Sequence, residues 1–278
     1  MIDLTSYSND LVLRNGIFFA SKDSDISYPE TGNDDYFAIE DNSFWFIHRN
    51  NCITTAVKNY SNIDLFFDIG GGNGFVSKAL EEKGIATVLV EPGIGGCRNA
   101  QKRNIKNIVC STLENASFKK NVIPSIGLFD VIEHIEDDKG FLTSIYSYLQ
   151  DDGFVYITVP AFDFLWSNED VDAGHFRRYT LNNLEKRLKT EGFIIKQSTY
   201  IFSILPVAVF LCRTIPSKIG FNKKSNLISK HTSEHSQKKG VLNTILNKVW
   251  NWELSRIDKG RKIPMGGSCF VVAQKKSS

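Results

Sequence analysis

Between residues 65 and 74 a continuous apolar run, Leu65-Phe66-Phe67-Asp68-Ile69, leads without a break into Gly70-Gly71-Gly72-Asn73-Gly74. A run that short, with no polar face, predicts a strand buried on both sides. Glycines two apart directly after it let the backbone turn sharply and lie against a ligand with no Cβ in the way. A helix over 75–83 and a second buried run, Ala86-Thr87-Val88-Leu89-Val90, closed by Glu91, complete one strand–helix–strand step. The alternation continues with a helix over 96–103 and strands over 107–110 and 123–129. A helix over 138–149 and a strand over 154–159 follow, the strand entered by the turn Asp151-Asp152-Gly153 and stopped by Pro160. Thr180 then caps a helix over 181–191, and strands over 193–200 and 268–273 end the pattern. Such alternation predicts an α/β fold: right-handed crossovers and a mostly parallel sheet with helices on both faces.

Before that repeat, residues 12–40 mix aromatics with turn formers (Tyr28-Pro29, Gly32-Asn33), which predicts short strands and loops. Phe44 opens a helix to about Lys58, with Asp41, Asn42 or Ser43 as its N-cap. The whole chain of 278 residues suffices for one large decorated domain or two small ones. With 42% hydrophobic and 23% charged residues, wholesale disorder is excluded. A net charge of +2 lacks the basic excess of a dedicated nucleic-acid binder, so no DNA partner is expected. The five cysteines are scattered and never spaced C-x-x-C, which favours reduced thiols and a cytoplasmic setting over a disulfide framework or zinc site. The N-terminus lacks a basic segment followed by an apolar core, so no signal peptide is read there, and the longest apolar stretch, 201–212, is too short to span a bilayer.

The acid at the first strand end, Asp68, suits a cationic or amine-bearing ligand better than a pyrophosphate, which is held by bare helix N-terminal amides. Glu91 ends the second strand, where a carboxylate can accept both hydroxyls of a ribose. A dinucleotide fingerprint read from Gly70 fails at its third glycine, where Phe75 stands; this counts against a nicotinamide-dependent oxidoreductase.

Asp68, Gly70, Gly72 and Gly74 satisfy D/E-x-G-x-G-x-G, and at these residues the chain resembles the class I S-adenosylmethionine-dependent methyltransferases. The resemblance runs from about 45 to 200 and takes in the last strand. It implies a Rossmann-like sheet of seven strands in the order 3-2-1-4-5-7-6, the last antiparallel, with S-adenosyl-L-methionine as cofactor. It also implies that the glycine turn faces the methionine part and that Glu91, with Pro92 beside it, holds the ribose. Ser111, Thr112 and Leu113 would flank the adenine, without the aspartate many relatives carry there.

Phe129-Asp130-Val131-Ile132-Glu133-His134-Ile135 resembles the F-D-x-x-E-H-[IV] element of small-molecule methyltransferases. The resemblance places Asp130 near the transferable methyl group and makes His134 a candidate general base; the alternative is that Glu133 and His134 only brace the next loop. His175-Phe176-Arg177-Arg178-Tyr179-Thr180 resembles the H-[FY]-R-R-Y-[TS] element of one methyltransferase subgroup. His175 and Arg178 are candidates for substrate contact or proton transfer, with Trp166 and Arg49 as further substrate contacts; the competing reading is a capping and packing motif with Tyr179 in the core. The main reading needs no metal. An alternative gathers Asp130, Glu133, His134 and His175 around a divalent ion, as in methyltransferases of small-RNA 3′ ends, for work on a ribose or sugar hydroxyl.

The organisation that follows is an N-terminal covering segment (1–60), a cofactor-binding catalytic domain (61–201 and 262–278) and an insertion (202–261) read as a substrate cap. Its apolar start lines a pocket or packs on the core. Contact with a membrane surface is the less favoured option, and the sequence sets no oligomeric state. The lysine-rich part, 218–239, reads as a solvated loop before a helix over 241–258. The expected reaction moves a methyl group to a small molecule, with oxygen favoured over nitrogen and carbon as acceptor. A non-catalytic cofactor-binding protein is the rival that keeps the fold.

Overall fold

A computed structural model describes residues 2–21, 32–60, 64–218 and 241–277. The Tyr28-Pro29 turn and all but the first residue of the lysine-rich loop lie outside them. The strands are β1 (Leu11–Arg14), β2 (Ile17–Ala20), β3 (Leu65–Ile69), β4 (Ala86–Val90), β5 (Ile108–Cys110), β6 (Ile123–Phe129), β7 (Leu149–Pro160), β8 (Phe193–Ile201) and β9 (Ser268–Lys275). They form one sheet in the order β1-β2-β5-β4-β3-β6-β7-β9-β8. From β5 onward this is the expected seven-strand order, parallel throughout except for β9, which runs antiparallel between β7 and β8.

The expected count of seven becomes nine because β1 and β2 form a hairpin that adds to the β5 edge, β2 pairing in parallel with β5. Its turn is Asn15-Gly16, both at positive φ (50° and 81°), the backbone twist that two-residue hairpins require. A second correction concerns 32–40: Gly32 and Asn33, read as turn formers, begin a helix, α1 (Gly32–Glu40), which packs on α4 (Ile94–Lys102). A third lies in β7, where Asp151-Asp152-Gly153 does not end the element. Leu149 pairs with Ile123 and Phe154 with Ser125, so residues 150–153 bow out as a bulge with Asp152 at φ 60°.

Alternation along β3 explains the two layers, because neighbouring side chains point to opposite faces. Phe67 and Ile69 join Leu142 and Ile145 of α5 (Asp138–Tyr148) and Leu184 and Leu188 of α7 (Leu181–Thr190) in one core. Phe66 points the other way, into a core with Ile53 and Val57 of α2 (Phe44–Tyr60), Val76 and Leu80 of α3 (Phe75–Glu81) and Trp250 and Ile257 of the C-terminal helix Val241–Asp258. The C-terminal part of the 202–261 segment therefore covers the sheet beside α2. Of the three N-cap candidates for α2, Ser43 fills the role: its Oγ accepts from the Phe46 amide at 3.5 Å. No helix among the described residues is long and apolar enough to cross a membrane.

Thr180 caps α7 as the sequence predicts, in a reciprocal box: its Oγ1 accepts from the Asn183 amide and the Asn183 side chain accepts from the Thr180 amide. Thr180→Ala removes the first of these bonds. The expected cost is about 1 kcal/mol, which calorimetry should read as a melting point lower by about 2–4 °C.

Candidate functional site

Gly70 leaves β3 at φ 67° with its amide donating to the Val90 carbonyl, and the turn returns into α3 at Gly74. Two positions favour glycine for different reasons. A Cβ on Gly71 would lie 2.3 Å from Leu89 Cδ1, so the turn can pass over β4 only without one. Gly72 has φ 54°, and a Cβ there would meet nothing within 4 Å, so the turn presents bare backbone to open space.

Around that space stand the acids read from the sequence. The Glu91 carboxylate, at the end of β4, accepts from the Gly72 amide at 3.0 Å and the Gly93 amide at 2.8 Å. Burial lifts it to about 7, against the pull of those two amides. Asp68, almost fully buried, accepts from Ser77 Oγ at 2.8 Å, and burial raises it to about 6. Pro92 follows Glu91, half-buried. At the end of β5, Ser111 carries a buried hydroxyl with no hydrogen-bond partner, and Thr112 beside it is half-buried. Leu113 turns into the core. The sequence sets Ser111 beside Thr112 and Leu113 after the third strand; the burial of its hydroxyl without a partner is visible only in three dimensions.

One strand over, Asp130 ends β6 with φ 58°. Its Oδ1 accepts from Thr158 Oγ1 at 3.2 Å, and its Oδ2 pairs with Arg49 Nη1. Arg49 comes from α2, its guanidinium 4.7 Å from the Trp45 ring centre and 5.4 Å from that of Phe46. Val131 packs against Gly70, which joins this region to the cofactor turn.

Glu133 is fully buried, and neither carboxylate oxygen has a hydrogen-bond partner among the described residues. Burial, reinforced by the Asp130 charge, pushes its carboxyl well above the usual range. The His134 and His175 rings meet edge to face at 4.7 Å. Burial, then the neighbouring His175, lowers His134 to about 4, so that imidazole is neutral at neutral pH.

His175 Nδ1 lies 2.9 Å from Asp170 Oδ1. Asp170 also accepts from both Nε and Nη2 of Arg178, at 2.7 and 2.9 Å, and from the Ser167 amide. Burial raises the Asp170 carboxyl, but the bonds from His175 and Arg178 outweigh it and hold the group at about 2. The third nitrogen of Arg178 donates to the Ala161 carbonyl, so all three point into the loop and its part is to position Asp170. Trp166 stands half-buried at the start of this loop. Tyr179 is core, its hydroxyl donating to Asp138 at 2.7 Å. The Phe176 amide donates to the Glu133 carbonyl at 2.8 Å, tying the two motifs together.

Residues 66–198 match a family model described as a methyltransferase domain. Among solved structures, Haemonchus contortus phosphoethanolamine N-methyltransferase 2 with S-adenosyl-L-methionine superposes at a TM-score of 0.56 and 19% identity, over 90% of this chain and 58% of that one. A methyltransferase from Thermotoga maritima gives 0.52 and 17%, over 88% of this chain and 96% of that one. The cyclase SpnF gives 0.55 and 12%, over 92% and 100%. None of the curated proteins matches the chain. Residues 66–198 thus match a methyltransferase domain, and the sheet around them has the strand order expected of the class I S-adenosylmethionine-dependent fold. Bare glycine backbone before open space, a carboxylate at the β4 end and the orphaned Ser111 hydroxyl fit its cofactor.

Proposed function

We propose that this chain methylates a hydroxyl oxygen of a small-molecule acceptor. The observation that carries the reading is a juxtaposition: a Cβ on Gly70 would lie 2.8 Å from Val131 Cγ2, so the cofactor turn and the Asp130–His134–His175 cluster share one edge of the sheet. Ligands of open α/β sheets bind at that edge, outside the carboxyl ends of the strands. When bound, S-adenosylmethionine supplies an electrophilic methyl group on a sulfonium.

The chain's own residues do the rest. Glu91 accepts the ribose hydroxyls, and Ser111 with Thr112 borders the adenine. Asp130 and Arg49, fixed to each other, orient the reacting ends. His175, backed by Asp170, takes the acceptor's proton. Alignment of the reactants supplies most of the acceleration and the base a smaller part. The segment after β8 closes the substrate side: Thr214 Oγ1 donates to the Leu165 carbonyl at 3.1 Å, and Arg213 pairs with Glu169 at 2.6 Å.

SpnF, named as a cyclase on this fold, shows why product chemistry must be read directly. With purified protein, cofactor and fractionated metabolites, S-adenosylhomocysteine should accumulate only in fractions where an acceptor gains a methyl group. His175→Ala should lower kcat by about 100-fold with cofactor affinity unchanged. A protein that binds the cofactor but forms no S-adenosylhomocysteine with any hydroxyl, amine or carbon acceptor would instead be a non-catalytic binder.

A further inference from the structure

We propose that Glu133, His134 and His175 bind a divalent first-row transition cation beside the cofactor turn. One ligand atom from each of the three lies within 4.8 Å of the other two. Donors around such an ion, each about 2.0–2.2 Å from it, sit about 3–4 Å apart, so small side-chain rotations close the set.

Glu133 supplies the independent observation. Its side chain is fully buried, and both oxygens lack a partner. A buried carboxyl left bare costs free energy whether ionised or neutral, since the neutral form still carries an unmet donor and acceptor. Arg49, the nearest cation by charge, makes its ion pair with Asp130 and leaves Glu133 unsatisfied. A metal ion between Glu133 and the two imidazoles removes that deficit.

The histidines are prepared in the manner of metal ligands. Asp170 engages His175 Nδ1, which leaves Nε2 as the free nitrogen. Arg178 and Ser167 in turn fix Asp170. A carboxylate behind a ligating imidazole sets its tautomer and raises its basicity. The His134 ring lies near the backbone of Gly174 and Ala173. Asp130 is not a ligand here, because it lies outside the set of atoms within 4.8 Å of one another and is held by Arg49 and Thr158. Three protein donors of the two-histidine, one-carboxylate type leave coordination positions open. Imidazoles in the set favour zinc, iron, nickel or copper over magnesium or calcium.

The consequence for chemistry rests on the proposed acceptor, whereas binding of the cation does not. An acceptor hydroxyl bound at an open position loses its proton to solvent more readily, so with the ion bound His175 is a ligand, solvent takes the proton otherwise assigned to it, and the oxygen is left as the nucleophile. The test therefore reads the cation directly. Metal-stripped full-length protein is titrated with cobalt(II), followed by visible absorption and calorimetry, with zinc as competitor. Cofactor binding is measured in parallel.

One cobalt per chain, with ligand-field bands displaced by zinc, is the expected result. Glu133→Gln and His175→Ala should each weaken it at least about tenfold with cofactor affinity retained. Should one variant fail to fold, the other and chelator-dependent melting of the unaltered protein carry the test. Folded, cofactor-binding protein that takes up no cobalt or zinc would overturn the cation and leave the methyltransferase reading intact. So would a Glu133→Gln variant that binds cobalt as tightly and melts no lower, which is the behaviour of a merely buried neutral carboxyl.

Discussion

Glu91→Ala is expected to abolish measurable binding of S-adenosylmethionine while leaving a folded protein. The Glu91 carboxylate stands against the glycine turn, with each oxygen already accepting from one main-chain amide, that of Gly72 or that of Gly93. Every carboxylate oxygen has a second lone pair, and these are free to accept the two ribose hydroxyls. Charged hydrogen bonds are worth about 1.5–3 kcal/mol each, so losing two weakens binding by roughly 100-fold or more. The alanine also leaves the Gly72 and Gly93 amides without their acceptor, which loosens the turn that faces the cofactor.

A pH dependence follows from burial. The Glu91 carboxyl lies at about 7, above its ordinary value, so the free protein gains stability from this group below the ordinary carboxylate range and loses it as pH rises through 7. Ribose hydroxyls prefer the ionised form and reverse that trend in the complex. Affinity should rise about tenfold between pH 6 and pH 8. Asp68, at about 6, titrates slightly lower, so Glu91→Gln separates the two: most of the slope should vanish in that variant. Calorimetric titrations at several pH values read both results. A flat profile, or a Glu91→Ala variant that binds like the parent, would remove Glu91 from the ribose.

The strands that hold this site were legible because each is decided locally. Leu65–Ile69, Ala86–Val90 and Ile123–Phe129 are short, mostly apolar runs, each followed by a glycine or an acid. The elements that escaped are those in which a local signal yields to tertiary context. Gly32 and Asn33 enter a helix because α1 packs on α4 and Glu40 binds Asn73 and Arg103 beside the glycine turn. Asp151-Asp152-Gly153 turns the chain, yet the flanking pairing keeps it within one strand.

At the site, the glycines and Glu91 stand out by spacing, and the Glu133-His134 and His175 motifs only by their resemblance to methyltransferase elements. What each does depends on partners no spacing encodes. Arg49 and Asp130 are 81 residues apart, and the bareness of Glu133 is a property of its three-dimensional surroundings.

The largest stability loss should come from Glu253→Ala, outside the reacting groups. Glu253 is fully buried in the C-terminal helix. Its Oε1 accepts from the Ser203 amide at 2.7 Å and from Ser203 Oγ at 2.6 Å, and its Oε2 accepts from the Phe202 amide at 2.9 Å. His48 Nε2 of α2 stands 2.9 Å from the same Oε2. Burial alone would raise this carboxyl, but the bonds from His48 and Ser203 outweigh it and hold it below its usual value. Its stabilisation is therefore present above the ordinary carboxylate range and lost as pH falls through the lowered value.

The four contacts fix a strained backbone. Phe202 sits at φ 62°, fully buried, its ring stacked on Trp45 at 5.4 Å. A non-glycine residue in that region costs about 1–2 kcal/mol, and it persists only where the surroundings over-determine it. Alanine at 253 strands two amides and the His48 ring and releases that restraint. Breaking a buried charged network costs about 3–5 kcal/mol, which for a chain of this size lowers the melting point by roughly 6–20 °C.

Because α2 also carries Arg49, methyl transfer should fall at temperatures where the variant is still folded, through a looser Arg49–Asp130 pair. Glu253→Gln, which keeps the shape and one acceptor, should lose less than half as much stability. Equal melting points for Glu253→Ala and the unaltered protein would mean that the C-terminal helix holds its place by apolar contacts alone.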